Sequence, residues 1–347
     1  MNNREPFEIG GHQIAAGTRE TVNLPISTLS DHTPVTMSVH VIHGRRPGPT
    51  MFVSAGIHGD EVIGVEILRR LLRTKSLGSL RGTLLVVPIV NAFGFHNHSR
   101  YLPDRRDLNR CFPGSPAGSL ASRLAHDFMT NVVERCSFGI DLHSAAIHRT
   151  NLPQIRVSGT APEKMKLAQA FGAPVILTSS LREGSLRAAA RELGIDVLLY
   201  EAGEGLRFDE MYVRAGVAGI LRVMATREML PRKAVAPAKA SSILCKSSKW
   251  VRAPAGGLLR AFKSEGDVVK DGELLAAVSD PFGENEVELF ASFDGIIVGR
   301  AVMPIVNEGD AIYHIAEVIS NSRAETAVED LSAQLEEDPL FDEDEII

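Results

Sequence analysis

Ala55-Gly56-Ile57-His58-Gly59-Asp60-Glu61 closes one apolar run and opens an amphipathic one. Residues 50–57 read as a buried strand, and residues 61–72, with Val62, Val65, Leu68 and Leu72 on one stripe, read as a helix. His58 and Glu61 thus stand three apart where a strand gives way to a helix. Gly56 and Gly59 flank His58 and let backbone come close to a site. Further along, Asp141-Leu142-His143-Ser144 ends another apolar run, so His143 caps a second strand. Two imidazoles and one carboxylate can close three corners of a tetrahedron around Zn²⁺. The fourth is left for water, the catalytic rather than the structural pattern. His58, Glu61 and His143 are therefore the candidate ligands of one Zn²⁺ per chain.

Outward from these blocks, residues 35–42, 84–90, 138–142, 174–178 and 196–200 read as strands. Residues 120–133, 185–193 and 208–229 read as helices, Gly194 ending the second of these. Arg45-Arg46-Pro47-Gly48-Pro49 reads as a turn. The alternation predicts an α/β domain with a mostly parallel sheet. Such sheets bind ligands beyond the carboxyl ends of their strands. His58, Asn91, His143 and Glu201 all fall at such ends.

Composition bounds the function classes. Of 347 residues, 44% are hydrophobic and 23% charged, as in a globular protein. The net charge of −6 is uneven: residues 319–347 hold ten acids and one base, so the body sums to +3. A nearly neutral body argues against nucleic-acid binding. No apolar run reaches a membrane span, and the polar N-terminus lacks a signal-peptide core. Three scattered cysteines, Cys111, Cys136 and Cys245, suggest no disulfide framework and fit a reducing cytoplasm.

The expected organisation is a catalytic α/β domain over 1–232, a linker over 233–248, a β-rich unit over 249–318 and an acidic, disordered tail over 319–347, with a short helix possible at 324–335. The β-rich unit carries a weak repeat: Ala253-Pro254-Ala255-Gly256-Gly257-Leu258-Leu259 parallels Ala291-Ser292-Phe293-Asp294-Gly295-Ile296-Ile297, and Glu265-Gly266-Asp267 parallels Glu308-Gly309-Asp310. The pattern resembles the barrel-sandwich domains of biotinyl and lipoyl carriers. The turn at 280–285 has no lysine for a prosthetic group. The unit is therefore read as structural or as a substrate gate, with no attached cofactor.

A metal-activated water needs a base. Glu201, ending an apolar strand, is the first candidate, and Glu204 the alternate. Arginine can polarise a carbonyl and clamp a carboxylate, and residues 100–110 hold Arg100, Arg105, Arg106 and Arg110. Asp60 reads as a helix N-terminal charge, and Asp141 either orients a ligand imidazole or bonds backbone. His40, His43, His96, His98, His126 and His148 are assigned to surface or packing.

At these residues the chain resembles the succinylglutamate desuccinylase/aspartoacylase family, a branch related to the zinc carboxypeptidases. The match is His-Gly-Asp-Glu at 58–61, Asp-Leu-Asn-Arg at 107–110, Asp-Leu-His at 141–143 and Glu-Ala-Gly at 201–203, in order across residues 35–230. The resemblance implies a zinc-carboxypeptidase-like (phosphorylase/hydrolase-like) mixed sheet flanked by helices, with a small C-terminal barrel-sandwich domain. It implies hydrolysis of a small N-acyl amino-acid amide, acetyl or succinyl. Under it His58, Glu61 and His143 bind Zn²⁺, Glu201 is base and then acid, Arg100 holds the oxyanion, and Asn109 and Arg110 bind a substrate carboxylate. The stretch from Arg100 to Asp107 is about two residues longer than in aspartoacylase-like members, so Arg105 and Arg106 stand beside Arg100 for that role. A carboxypeptidase-like metallopeptidase and a non-catalytic binding protein are the alternative functions. A homo-oligomer is left open.

Overall fold

The structure, a computed structural model, describes residues 4–238 and 241–337, without the side chains of 335–337. Among the described residues, thirteen strands form one sheet. At its centre Arg46–Ala55 runs parallel to Arg81–Val87 on one side and to Phe138–His143 on the other, and Asp196–Glu204 continues the parallel set. These strands are apolar on both faces because helices cover both. Met51, Val53 and Ala55 pack under the helices Ile63–Arg73, Pro162–Phe171 and Glu210–Thr226. Phe52 points the other way, into the core under Leu120–Asn131 and Leu186–Glu192.

The sheet is mixed, not mostly parallel. Pro34–His43 lies antiparallel on Arg81–Val87, and Thr18–Thr28 pairs with it as a hairpin. Arg149–Val157 lies antiparallel on Asp196–Glu204. The short link from Thr28 to Pro34 permits only an antiparallel return. The expected turn at 45–49 is instead the irregular start of the central strand: Arg46 pairs with Arg81, and the register shifts before Thr50.

Residues beyond 248 extend the same sheet. Gly295–Ala301 pairs with Arg149–Val157, followed by Ala311–Glu317 and Ser248–Arg252. A second sheet, Glu286–Phe290, Leu274–Ser279, Gly257–Ala261 and Ile305–Val306, packs on it through Leu275, Ile297, Ile312 and Tyr313. The repeat is structural. Asp267 accepts the Ser264 N–H and Asp310 the Asn307 N–H, each at 2.8 Å.

Two expectations are corrected. The second half of the linker is not free, since Ile243–Cys245 pairs in parallel with Val175–Thr178 and buries Cys245. The acidic tail is not disordered over 321–337, where Asn321–Glu337 is a helix, longer than the short one allowed at 324–335. Its Ala324, Ala327 and Leu331 recur on one face and are buried, Leu331 with Ala215 and Met211. Residues 338–347 of the expected tail and 239–240 of the linker lie outside the described residues. Among the described residues no helix is long and apolar enough to cross a membrane.

Candidate metal centre and its cavity

The parallel strands deliver the site. The chain leaves Arg46–Ala55 through Gly56, at φ +64°, and His58 follows on a loop before Ile63–Arg73. That loop lies against another backbone: a Cβ on Gly59 would fall 1.8 Å from the Gly94 carbonyl carbon. Asn91, at its own strand end, braces this contact. Its Oδ1 accepts the Gly94 N–H at 2.8 Å, and its Nδ2 donates to the Ile57 carbonyl at 3.3 Å. Asn91 is thus a strut for the loop that carries His58.

His58, Glu61 and His143 converge, all buried, with one ligand atom from each within 4.8 Å of the others. His58 Nδ1 lies 2.7 Å from Glu61 Oε1, and His143 Nδ1 lies 2.7 Å from Glu61 Oε2. The outer nitrogens face carboxylates. His58 Nε2 is 3.1 Å from Asp107 Oδ1 and His143 Nε2 is 2.7 Å from Asp141 Oδ2. Ser54 Oγ donates to the other oxygen of Asp141 at 2.7 Å. Both nitrogens of each ring thus face a carboxylate oxygen at hydrogen-bond distance; with a metal bound, each ring would donate outward from Nε2 and turn its Nδ1 lone pair inward, the arrangement in which carboxylates orient metal-binding histidines. The donor set of two nitrogens and a carboxylate fits a Zn²⁺ ion with an open position.

The surrounding carboxylates favour the charged form of both imidazoles. Burial opposes charge on His143, but Asp141 and Glu61 outweigh it and raise its pKa well above the usual histidine value. Burial opposes charge on His58 too, but Glu61 and Asp107 outweigh it and raise its pKa. Burial opposes charge on Glu61 as well, yet the two imidazoles hold its carboxyl well below the usual carboxylate range.

Arg100 reaches the same point. Its Nη1 donates to Glu61 Oε1 at 3.1 Å, and its Nε and Nη2 bind Asp107 Oδ2 at 3.2 and 3.0 Å. Asp107, to which the sequence reading gives no role, thus ties Arg100 to His58. Arg105 is exposed at φ +61°, and Arg106 pairs outward with Asp104 at 3.6 Å. Of the three arginines weighed for one role, Arg100 alone lines the cavity among the described residues.

That cavity, about 430 Å³, also takes in Asn109, Arg110 and Glu201. Glu201 pairs in register with His143 on the adjacent strand. Its Oε2 accepts from Asn151 Nδ2 at 2.8 Å, and Arg156 Nη1 is 3.6 Å from its Oε1. Glu204 turns away and accepts the His148 N–H at 3.2 Å. Asn109 Oδ1 accepts the Leu186 N–H at 2.9 Å, which fixes the loop to the helix Leu186–Glu192.

Several cavity residues carry no motif in the sequence: Asn151, Arg156, Arg187, Trp250 and His314. Trp250 and His314 come from the C-terminal strands and stack at 4.5 Å with 6° between their planes. Arg149 lies 5.3 Å over the Trp250 ring. The β-rich unit thus narrows the cavity. None of the six histidines assigned to surface or packing lines it. A larger groove of about 1420 Å³ opens at the other end of the strands, where Arg46 and Arg81 begin, and holds none of these residues.

A profile of the succinylglutamate desuccinylase/aspartoacylase catalytic domain matches residues 47–227, a span containing all four motif blocks. The chain belongs to this family. The N-alpha-acetyl-L-2,4-diaminobutyric acid deacetylase of Halomonas elongata is 28% identical over 86% of this chain and 91% of its own. A Pseudomonas aeruginosa succinylglutamate desuccinylase is 33% identical over 31% of this chain and 35% of its own. Among solved structures, a succinylglutamate desuccinylase/aspartoacylase from Rhodobacter sphaeroides superposes with a TM-score of 0.78 at 25% identity, covering 86% of this chain and 96% of its own. A product-bound ectoine utilization protein from Ruegeria pomeroyi shares the fold with a TM-score of 0.78 at 24% identity, over 87% and 95% of the two chains. Family members named for an activity are deacylases, and this chain is a deacylase-type hydrolase by family.

Proposed function

We propose that the chain is a zinc-dependent amidohydrolase that removes a small acyl group, acetyl or succinyl, from an N-acylated amino acid. The observation that carries this is the His58–Glu61–His143 cluster, its outer nitrogens held by Asp107 and Asp141, with Glu201 beside it in one cavity.

His58, Glu61 and His143 would hold one Zn²⁺, which when bound supplies Lewis acidity and lowers the pKa of water. Glu201 takes the proton from the attacking water and delivers it to the departing amine nitrogen. Asn151 and Arg156 fix the direction of its carboxylate. Arg100 stabilises the charge that develops on the acyl oxygen. Asn109 and Arg110 bind the α-carboxylate, arginine through its planar fork. The Trp250–His314 wall limits the site to small substrates, which favours an N-acyl amino acid over a peptide.

Hydrolysis of N-acyl amino acids assayed against dipeptides tests the reading. Faster cleavage of dipeptides would favour a carboxypeptidase-like enzyme. Elemental analysis is expected to find about one zinc per chain. Absence of zinc together with absence of turnover would return the chain to a binding role. A cytoplasmic setting, proposed from the cysteine pattern, is supported by the buried free thiols Cys136 and Cys245.

A further inference from the structure

The larger groove lies at the opposite end of the parallel strands from the catalytic cavity, and positive charge gathers in it. Arg45 and Arg46 stand where the central strand begins, and Arg46 pairs in register with Arg81 at the start of the next strand. Arg19 comes from the hairpin strand Thr18–Thr28, Arg73 and Lys75 from the end of Ile63–Arg73 and just beyond it, and Arg232 from the segment after Glu210–Thr226. Against these seven cations the lining holds one acid, Glu228. The whole chain has a net charge of −6, so the groove is a local reversal of sign.

All seven cations are exposed, and among the described residues none of them forms an ion pair. A cation in the last turn suits the negative end of a helix, which accounts for Arg73. It does not account for the arginines on the strands or for Arg232. The backbone acceptors of the rim are already taken. Arg4 Nη1 donates to the carbonyls of Gly44 and Gly82, each at 2.8 Å, and Arg19 Nη1 to that of Leu72 at 3.4 Å. The Met229 carbonyl accepts the Arg81 N–H at 2.9 Å. The groove thus offers donors rather than acceptors. Like charges around one cleft repel one another and focus its field on an incoming anion.

The lining also selects among anions. Six of the seven cations are arginines, whose planar fork matches phosphate oxygens. A volume of about 1420 Å³ and a surplus of six positive charges suit several phosphates rather than one. Among the described residues the lining has no Phe, Tyr or Trp, so nucleobases find no platform for stacking. We propose that this groove is a second binding site, separate from the catalytic cavity, for a compact anion carrying several phosphates. The anion bridges the starts of the strands and the ends of the helices Ile63–Arg73 and Glu210–Thr226. The inference is independent of the deacylase reading.

The test follows fluorescein-labelled tripolyphosphate by fluorescence anisotropy on the full chain at about 0.15 M salt, where weak surface attraction is screened. The probe is kept at trace concentration so that it strips no metal. Saturable binding is expected, with unlabelled tripolyphosphate displacing the probe at least about tenfold better than orthophosphate. Arg46→Gln/Arg81→Gln is expected to weaken binding by about tenfold or more, and Lys75→Gln/Arg232→Gln, on the facing segments, to do the same. Lys166→Gln/Arg191→Gln makes an equal charge change on exposed helix positions outside the groove and is expected to bind as wild type does. Arg110→Gln, in the catalytic cavity, is expected to bind likewise. Absence of saturable binding to the wild type would overturn the proposal. Equal losses in the groove pairs and the Lys166/Arg191 pair would overturn it as general charge attraction. Loss in Arg110→Gln with binding kept in both groove pairs would overturn it by placing the anion in the catalytic cavity. Tighter binding of a single-stranded oligothymidylate than of tripolyphosphate would overturn it in favour of a nucleic-acid site.

Discussion

At the scale of single residues, the site depends on groups that touch no substrate. Asp141 and Asp107 hold the outer nitrogens of the two histidines. Asp141→Asn is expected to weaken zinc binding by about 10–100-fold, read by competition with a chelator. An unaltered affinity would mean that packing alone orients the ring. Glu201→Gln is expected to lower kcat by about 10²–10⁴-fold while the zinc content stays at the wild-type level. Undiminished turnover would move the proton shuttle elsewhere. His314 gives a pH effect whose sign follows from its displacement. The folded ring titrates at about 3 against an ordinary 6.5. As pH falls below about 6.5 the unfolded chain takes up a proton that the folded one refuses. Stability from the neutral ring is therefore complete above that value and lost progressively toward pH 3. His314→Phe keeps a ring against Trp250 and removes the titration. Its melting temperature should fall less steeply than wild type between pH 6.5 and 4.5, and parallel curves would contradict this account.

At the scale of elements, what could be read ahead depended on which way the side chains faced. The strands around His58 and His143 are apolar on both faces, and their hydrophobic runs declared them. Arg149–Val157 was not legible, although it is nearly all buried. Its Asn151, Gln154 and Arg156 are polar because they serve the cavity or the next strand, so function erased the strand signal. Thr18–Thr28 does alternate at Val22, Leu24 and Ile26, but Pro25 interrupts it. Proline is tolerated there because this is the edge strand. The His58 loop was legible through its glycines, and the structure supplies the reason in the Gly59–Gly94 approach. Gly59→Ala is expected to destabilise the protein by about 1–3 kcal/mol or more, because backbone rather than a flexible side chain must yield. A melting temperature within a degree or two of wild type would show that the loop can shift. Arg110 stood out in the arginine-rich stretch 100–110, its role and Asn109's came only through resemblance, and Trp250 and His314 were not legible at all, since residues so far along the chain meet the cavity through sheet pairing.

At the scale of the molecule, the β-rich unit reads in sequence as a separate domain, yet its strands hydrogen-bond to Arg149–Val157. Gln154 Nε2, buried, donates across this seam to the Val298 carbonyl at 2.9 Å. A chain ending at Ser247 would leave Arg149–Asn151 unpaired on one side and uncover Leu152, Leu177 and Cys245, which pack against Ile296 and Val298, while Gln154–Val157 stays paired with Val175–Thr178. It is expected to aggregate, because unpaired strand edges template further pairing. A monomeric, zinc-binding species on size-exclusion chromatography would show instead that residues 4–247 fold alone. The seam has another effect. Two bodies joined by a flexible tether can swing apart to admit a substrate, but a hydrogen-bonded ladder resists such rotation. The wall bearing Trp250 and His314 is therefore stationary with respect to His143 and Glu201. Entry is then expected to depend on the dimensions and charge of the mouth rather than on a hinge between the C-terminal strands and the rest of the sheet.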